Sequence, residues 1–424
     1  MTLSQDPLDP IEAAVRREWP RVVATLVGSL GDLTMAEDAA QDAVEAAIKQ
    51  WPLEGVPDRP GAWITTVARR RAIDNLRRQR VGRDKAAENA RLLERLIKRD
   101  PHEAALTETA LRDDQLRLIF GCCHPALSIE AQVALTLRCV CGLRTQEIAR
   151  ALLTTPATMG QRISRAKNKI STAAIPFVIP VDSELLQRTS AVRHIIYLIF
   201  NEAYLATSGE ELSRADLAEE ALRLGRLLTR LLPDDPELLG LLSLMCLSHA
   251  RRRARTSAAG DLVLLADQDH SKWDDMLLVE GRTALESAMR LRPIGPFQLQ
   301  AAIAELHTSG SQTGGTDWPQ IIKLYDRLVD LQPSPVAKLN RIVAISMTLG
   351  PLSAIDELMP LAAELSQYQY FHSTLADFHR QLEQFSTAIP HYEQALSLTS
   401  LEPERRFLLG RISQCRRGDT GDSH

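Results

Sequence analysis

Apolar residues recur every three or four positions along most of the chain, a spacing that places them on one face of a helix. Two stretches show this spacing clearly: Ile195, Ile196, Ile199 and Ala203, then Leu217, Ala221, Leu224 and Leu228. Runs that alternate apolar and polar residues, the sign of strands, do not stand out. Proline and glycine interrupt the helical pattern at 51–63, 175–182, 231–237 and 309–319. The pattern therefore predicts an all-α protein.

The stretch TQEIARALLTTPATMGQRISRAKNK predicts two short helices around a turn. Thr145 is placed to cap the first helix, and Pro156 suits the first turn of the second. The second helix directs Met159, Ile163 and Ala166 inward. Its opposite face carries polar and basic side chains: Gln161, Arg162, Arg165 and Lys169. This is the helix-turn-helix pattern of DNA-binding proteins, although other helical hairpins share it.

A second basic segment lies upstream, at Ala62–Lys85. It holds eight basic residues and two acidic ones. An apolar stripe at helical spacing runs along it: Trp63, Ile64, Val67, Ala68, Ile73 and Leu76. The other side carries Arg69, Arg70, Arg77 and Arg78. A solvated helix face usually mixes charges of both signs, so a face this positive favours a nucleic-acid contact.

Charge is unevenly distributed along the chain. Residues 1–180 contain 26 Lys and Arg against 22 Asp and Glu, a net of +4. Residues 181–424 contain 24 against 32, a net of −8. The total of −4 thus combines a basic first part with an acidic second part, as expected when only one end meets nucleic acid.

Length and composition favour a soluble cytoplasmic protein of two or three domains. The 424 residues exceed one compact core, and 45% are hydrophobic against 25% charged. No apolar run reaches the roughly 18 to 20 residues of a membrane span. The opening MTLSQDPLDPIEAAV lacks the basic and apolar regions of a secretory signal. The six scattered cysteines show no disulfide framework, which fits a reducing compartment.

The last third of the chain repeats with the period of tetratricopeptide helix pairs. Ile321, Ala354 and Ala388 are 33 and then 34 residues apart. Apolar residues follow each of them four and seven positions later: Tyr325 and Leu328, Leu358 and Leu361, Tyr392 and Ala395. Most consensus glycines and the tryptophan are missing, so the repeats are degenerate. Stacked repeats commonly present a curved surface to a protein or peptide, and a purely structural role is equally open.

Three motifs of different chemistry carry a family resemblance: MAEDAAQDAVEAAIKQW, then RPGAWITTVARRRAIDNLRR, then the helix-turn-helix. In order and spacing they resemble the extracytoplasmic-function sigma factors of bacteria, over residues 11–172. The segments LRLIFGCCHPALSIEAQVALTLR, IYLIFNEAY and LADQDHSKWD, with the degenerate repeats, resemble the group of these sigma factors that has a long C-terminal extension. The resemblance implies five segments: sigma region 2 at 1–80, a linker at 81–112, sigma region 4 at 113–175, a helical middle domain at 181–300, and tetratricopeptide-like repeats at 301–416.

The resemblance also implies a function and its residues. Such a sigma factor does no chemistry and needs no cofactor; it lends RNA polymerase its promoter specificity, here with its activity regulated through the C-terminal extension. Its acidic helix binds the clamp helices of the β′ subunit, and the matching residues are Asp38, Gln41 and Asp42. The basic helix separates the DNA strands at the −10 promoter element and recognises its bases. The matching residues are Trp63, Arg69, Arg70, Asp74, Arg77 and Arg78. The last helix of the helix-turn-helix reads the −35 element, through Thr158, Gln161, Arg162, Arg165 and Lys169.

Two residues depart from the family pattern. Arg70 stands where many members have Asn, and Gly160 stands where many have a basic residue. Gly160 also weakens the last helix of the helix-turn-helix by about 1 kcal/mol.

Two further sets of residues contain types that could carry chemistry. The first is Cys122, Cys123, His124, Cys139 and Cys141, whose spacing is unlike that of a zinc site and favours simple burial. The second lies in the middle domain and comprises Asn201, Glu202, Arg214, Asp216, Gln268, Asp269 and His270. Glu202 or Asp269 could act there as a general base, but no nucleophile or metal motif accompanies them, which favours a structural hydrogen-bond network. The basic HARRRART, 249–256, could contact DNA or RNA, but such a segment is more often a solvated helix end.

Two other functions remain open from the sequence. A helix-turn-helix regulator with a tetratricopeptide sensor domain would bind operators without polymerase, so co-purification with core polymerase distinguishes it from a sigma factor. An enzyme built on the middle domain would bind a metal or a small ligand, and analysis of bound metal or ligand would detect it.

Overall fold

The computed structural model describes residues 9–78, 108–152, 154–180, 182–205, 211–257, 259–313 and 315–421. In these ranges the chain is helical and forms no strand, apart from one isolated antiparallel bridge between Thr256 and Leu262. The all-α prediction is therefore confirmed. The chain separates into two compact units, Met1–Ile199 and Phe200–His424. None of the described helices is long and apolar enough to cross a membrane.

The first unit begins with three helices: α1 Asp9–Leu30, α2 Leu33–Glu54 and α3 Pro60–Arg78. Asp32 caps α2, because its carboxylate accepts a hydrogen bond from the Met35 backbone N–H at 2.8 Å. At the other end Gly55 has a φ of 86°, which side chains disfavour. The buried face of α2 is rich in alanine, and these small residues let α1 and α3 approach closely: Ala36, Ala39, Ala40, Ala43 and Ala47.

Four more helices of the first unit follow: α4 Glu108–Cys122, α5 Ile129–Leu135, α6 Thr145–Ala151 and α7 Pro156–Thr172. A π-helical turn, Thr136–Val140, follows α5. Both α4 and this turn pack against α1. The approach is close: a Cβ added at Gly28 would lie 2.5 Å from the Asp114 carboxylate, and one at Gly142 would lie 2.9 Å from the Trp19 ring. The helices of both basic segments and of the acidic segment therefore belong to one packed unit.

The helix-turn-helix forms as predicted, except at its start. Helix α6 begins at Thr145 itself, so Thr145 is not the capping residue that the sequence predicts. The backbone N–H of Arg144 instead donates to Glu147 Oε2 at 2.6 Å, so a carboxylate of the first turn satisfies it.

The second helix of the pair begins as its proline predicts. Thr155 caps α7 by accepting from the Thr158 backbone N–H at 3.1 Å, and Pro156 occupies the first turn. Its predicted inward residues are buried: Met159, Ile163 and Ala166, joined by Ile170. The helix rests by this apolar face against α5 and α6, which leaves its polar face outward.

The boundary between the two units lies within helix α8, Asp182–Leu205. The second unit continues with four helices: α9 Glu211–Leu231, α10 Pro236–Ala250, α11 Asp275–Arg290 and α12 Pro296–Thr313. Helix α10 is central and packs against α9, α11 and α12. Gly240 permits this, because a Cβ there would lie 2.6 Å from the Gln298 backbone nitrogen. Both apolar stretches in α8 and α9 are buried as predicted, except that the side chain of Ala203 lies outside the described residues.

Three helix pairs follow: α13 Trp318–Leu331 with α14 Pro335–Leu349, α15 Pro351–Leu358 with α16 Gln369–Gln381, and α17 Phe385–Leu398 with α18 Glu402–Gly421. The first helices of the pairs begin at 318, 351 and 385, which reproduces the period read from the sequence. Ile321, Ala354 and Ala388 are each fully buried where the paired helices meet. The predicted tetratricopeptide-like repeats are therefore confirmed.

Candidate nucleic-acid and partner interfaces

An acidic face runs along the exposed side of α2. Asp38, Gln41 and Asp42, the predicted polymerase-binding residues, all lie exposed there and one turn apart. Partial burial raises the pKa of Asp38, Lys167 lowers it, and the neighbouring Glu37 and Asp42 raise it, so that the net pKa is above its ordinary value. A group of like charges of this kind suits a partner surface of basic side chains.

Helix α3 presents a basic face, and its buried stripe differs slightly from the predicted one. Ile64, Ala68 and Leu76 are buried as expected, but Ala72 takes the place of Ile73, and the predicted Trp63 and Val67 are only half-buried. The reason is geometric: the buried positions recur every four residues along this helix, which leaves Ile73 half-buried at the edge.

The predicted −10 residues lie on the other side of α3. Trp63 is half-buried, with its ring edge-on to that of Trp51 at 5.3 Å between centroids. Arg69 is half-buried, and three residues are exposed: Arg70, Asp74 and Arg77. The side chain of Arg78 lies outside the described residues. An aromatic ring beside exposed arginines can stack an unpaired base and contact the backbone next to it.

A groove between α1 and the start of α3 holds three arginines that the sequence did not single out, together with the acidic residues Glu18 and Asp58. Arg17 and Arg21 of α1 face Arg59 and the first turn of α3 across it. Gly61 allows the two helices to meet there, since a Cβ at this position would lie 2.5 Å from the Glu18 carboxylate. The sequence signal was present as the basic run RREWPR, but only the fold brings it next to α3.

The five predicted −35 residues line a single groove: Thr158, Gln161, Arg162, Arg165 and Lys169. The opposite wall is formed by the start of α5, at Leu127, Ser128 and Ala131. The structure thus brings together on one surface all the residues that the resemblance named for this element. Amide, hydroxyl and guanidinium groups at this spacing can reach base edges and phosphates in a major groove.

A buried ion cluster joins α2 to α7, and sequence reasoning missed it. Glu37 is fully buried, and its two carboxylate oxygens meet Arg138 Nε and Lys167 Nζ, each at 2.5 Å. Burial raises the pKa of Glu37, but Lys167 and Arg138 outweigh it, so the pKa is lowered and the carboxylate is charged. Arg138 also donates to the Leu143 carbonyl at 3.2 Å and lies over the Trp19 ring. Partners 101 and 130 positions apart leave no local signal in a sequence.

The cysteines of the cysteine-rich set are buried, as predicted, while His124 beside them is half-buried. All four cysteines of the set are free thiols within the first unit. Cys123 lies 3.4 Å from the Thr136 hydroxyl, and burial raises its pKa to about 11. Zinc binds the thiolate form, which such an environment disfavours. In the part of the chain that the structure describes, no group of three or more His, Cys, Asp or Glu residues could hold a metal ion.

The described residues of the polar set in the middle domain are exposed or half-buried rather than enclosed by apolar helices. Glu202 and Asp269 are both exposed, and the Asp269 carboxylate accepts from the Ser271 backbone N–H at 3.0 Å. His270 Nε2 and the Ser311 hydroxyl are hydrogen-bonded at 2.9 Å. The Asn201 and Gln268 side chains are half-buried, and those of Arg214 and Asp216 lie outside the described residues. The exposed carboxylates lack the enclosure that would tune a general base.

The HARRRART segment is only partly solvated, contrary to the expectation. His249 and Ala254 are buried, and burial with the nearby Arg252 lowers the pKa of His249 to about 4. The segment ends α10 and turns back onto the apolar side of α11, where Trp273 and Leu278 pack against it. Packing against a neighbouring helix, rather than charge, sets its environment.

Three families match successive parts of the chain. Residues 14–81 match Sigma-70 region 2, residues 117–170 match Sigma-70, region 4, and residues 188–289 match a family of unknown function, DUF6596. An uncharacterized protein of Rhizobium meliloti (strain 1021) is 42% identical over 399 residues, which is 94% of each chain. The crystal structure of the P58(IPK) TPR domain aligns with 91% of this chain and 99% of its own, at 12% identity and a TM-score of 0.27, too low to define a shared fold.

Proposed function

Because the chain belongs to the extracytoplasmic-function sigma factors, in the group with a long helical C-terminal extension, we propose that it binds core RNA polymerase and directs promoter-specific initiation under the control of that extension. The observation that carries the proposal is the order of three surfaces on one unit: the acidic face of α2, the basic face of α3 and the basic groove of α7. Each surface has the chemistry that a different partner requires.

Core polymerase binds to the acidic face of α2, and the β′ clamp helices are the expected partner. Asp38 and Asp42 lie four residues apart and so point to the same side of the helix. Both are exposed, with Gln41 beside them. Charges at the rim of an interface mainly steer a complementary surface into register.

The −10 element binds along the face of α3 that carries Trp63 and the exposed Arg70 and Arg77. Trp63 offers a ring for a base that has left the duplex, and the arginines neutralise the phosphates around it. The −35 element takes the α7 groove, where Arg162 and Arg165 are spaced for neighbouring base pairs or phosphates.

The C-terminal extension regulates through a protein or peptide rather than through DNA. Residues 181–424 carry a net charge of −8, so phosphates repel them. Three stacked helix pairs offer an extended surface of the kind that holds peptide segments.

A helix-turn-helix regulator acting without polymerase is the alternative. Such a regulator would use the α7 groove, but it gives no role to the acidic face of α2 or to the basic face of α3. Binding to core polymerase is therefore the property that separates the two functions.

The proposal is tested by binding and transcription with purified core polymerase. Asp38→Arg with Asp42→Arg should weaken core binding by about tenfold or more, because like charges would then face each other. Asp330→Arg with Asp356→Arg makes the same change of charge at exposed sites of the second unit and serves as the control. Unchanged co-purification of the α2 variant with the β′ subunit would contradict the assignment, and transcription from genomic fragments would identify the promoter.

A further inference from the structure

Within the second unit, the connection between α10 and α11 reaches across to the repeats. It contains a tight turn at 256–262, which an antiparallel bridge between Thr256 and Leu262 closes. The tip of this turn meets Arg406 of α18, 146 positions after Gly260 in the chain. A segment of the middle domain therefore lies against a helix of the third repeat pair.

Arg406 holds the tip of the turn by its backbone as well as by a charge. Its Nη1 donates to the Ala259 carbonyl at 3.2 Å, and its Nη2 donates to the Gly260 carbonyl at 2.7 Å. Its Nε lies 3.3 Å from Asp261 Oδ1. A guanidinium suits such a set of acceptors, because its N–H groups point in fixed directions within one plane. The contact therefore selects a turn that has a carboxylate beside it.

Gly260 is required at the tip for two reasons. Its φ is 78°, a backbone conformation that side chains disfavour. A Cβ at this position would also lie 3.2 Å from Arg406 Nη2, so the guanidinium would have to move away. Together with the Asp261 carboxylate, this defines the preferred ligand of Arg406 as a turn in which glycine is followed by aspartate.

The surface that receives the turn is held in place independently of it. The Glu404 carboxylate accepts hydrogen bonds from Gln369 Nε2, the Tyr370 hydroxyl and the Thr399 hydroxyl, each at 2.6 Å. These bonds join the start of α16 and the end of α17 to the first turn of α18. Because none of them involves the connection, the surface keeps its shape when the turn leaves.

The turn is held where water reaches it. The side chains of Arg406 and Asp261 are 41% and 53% exposed. An exposed ion pair contributes little to stability, because water and salt screen it. The turn nevertheless fills its site, since the chain keeps it at a high local concentration. A segment of another protein can replace it when that segment binds more tightly or is abundant enough.

Resting on the proposed regulatory role of the extension, we propose that Arg406 and the surface around Glu404 form its peptide-binding site. The site takes a glycine–aspartate turn of a partner protein, and the chain's own 256–262 turn fills it until the partner's turn replaces it. The displaced turn is nearly continuous with LADQDHSKWD, whose last residue, Asp274, caps α11. Binding at α18 is thereby connected to the middle domain.

The test measures peptide binding to the full-length chain in the absence of polymerase. The probe is a fluorescently labelled synthetic peptide of residues 254–264, closed head to tail, and its anisotropy reports binding. Asp261→Arg in the protein places a like charge against Arg406 and dislodges the internal turn, and Asp261→Asn replaces it if the arginine variant fails to fold. Asp267→Arg makes the same change of charge at another exposed position of the connection and is the matched control.

We expect the Asp261→Arg chain to bind the peptide about tenfold more tightly than the wild type and the Asp267→Arg control, because its internal competitor is displaced. Adding Arg406→Ala to Asp261→Arg should abolish binding. Adding Arg416→Ala, which breaks an exposed ion pair elsewhere on α18, should not. Equal binding by the wild type and the Asp261→Arg chain, or binding that survives Arg406→Ala, would overturn the site.

A second peptide, carrying Gly260→Val, tests the recognised sequence. It should not bind the Asp261→Arg chain, and equal binding of the two peptides would overturn the glycine requirement.

Transcription with core polymerase, with and without saturating peptide, tests regulation. Peptide should change the output of the wild type by about fivefold or more, and unchanged output with peptide bound would overturn the regulatory part. If the chain fails to bind core polymerase, the proposed function fails, whereas the anisotropy still reports the peptide site.

Discussion

Arg162 is the residue whose replacement most directly tests the α7 groove. Its half-buried side chain lies in that groove opposite Ser128. Arg162→Ala should cost about 1–3 kcal/mol of promoter binding if the guanidinium pairs with a base. Binding to a set of promoters with single −35 substitutions measures the effect. A loss confined to one position indicates base reading, and a uniform loss indicates a phosphate contact.

Asn168→Ala provides the control for this prediction, because Asn168 is exposed on α7 but does not line the groove. Promoter output that is unchanged by Arg162→Ala together with Arg165→Ala would show that α7 does not read the promoter.

His307 makes the second unit sensitive to acid. Burial, with Arg251 nearby, lowers its pKa from the ordinary 6.5 to about 4. The folded state therefore prefers the neutral ring, and the unfolded state binds more protons between these values. The contribution of the neutral His307 ring to the free energy of unfolding is therefore fully present above pH 6.5, and it is lost as the pH falls towards 4.

His307→Phe keeps a ring against Trp318 and removes the titration. We expect its thermal midpoint to fall less than that of the wild type between pH 7.5 and pH 4.5, measured by calorimetry. Parallel pH curves for the two proteins would exclude His307 as a source of the acid sensitivity.

Individual side chains were predictable where burial follows from helical spacing alone. Met159, Ile163 and Ala166 are inward because positions three and four apart share a face. Glu37 was unpredictable by the same rule, since a carboxylate at a buried position signals nothing about the cations that neutralise it. Its environment depends on residues that only the tertiary fold brings near.

Helix α7 carries a glycine that the fold does not require. A Cβ at Gly160 would meet only the Thr145 methyl group, at 3.9 Å, which is ordinary contact. Gly160→Ala should therefore raise the free energy of unfolding by up to about 1 kcal/mol through helix propensity. Denaturant titration of the full chain measures the change.

Gly121→Ala in α4 is the matched contrast, because its Cβ would lie 2.3 Å from the Phe177 ring. This second substitution should destabilise the protein by about 1–3 kcal/mol through overpacking. If both substitutions changed the free energy of unfolding in the same direction, the difference in packing between Gly160 and Gly121 would be contradicted.

The sequence predicted the spacing of buried positions along the helices more accurately than the residues at which the helices begin. Proline positions placed the start of α7 correctly, because proline suits a first turn and lacks the N–H that a helix interior needs. Helix α6 starts one residue earlier than predicted, at Thr145 itself, and the N–H of Arg144 before it donates to Glu147. The residue at which a helix begins depends on local hydrogen bonds that the apolar periodicity does not report.

The first unit ends within α8, so a truncation that removes the C-terminal extension but keeps the first unit has to leave α8 in place. Arg188 of α8 donates to the Phe120 carbonyl and lies over that ring at 5.9 Å. A chain that ends at Val178 loses this contact, whereas one that ends at Ala206 keeps α8. We expect the chain ending at Ala206 to bind core polymerase and to transcribe several-fold less than the full-length chain.

The chain ending at Val178 should bind less and melt at a lower temperature, because a buried part of the first unit is missing. In-vitro transcription at matched protein concentrations measures the effect of the extension. Equal output from the full-length chain and the chain ending at Ala206 would leave the extension without a regulatory role.

At the scale of the molecule, the sequence predicted the order of the parts but not their packing. The period of 33 and 34 residues defined the three repeat pairs, because each pair buries the same positions. The packing of α4 and the π-helical turn onto α1 depends on Gly28 and Gly142, whose role is visible only when the facing side chains are known. The exact boundaries of the five segments remain a prediction.

The buried Cys139 Sγ lies 3.9 Å from Glu37 Oε2. The Cys122 side chain is hydrogen-bonded to that of Cys139. Peroxides and other electrophiles reach these buried sulfurs only when the packing of the first unit opens. The rate at which the two thiols are oxidised therefore depends on how often the first unit opens, and not on how exposed its outer surface is.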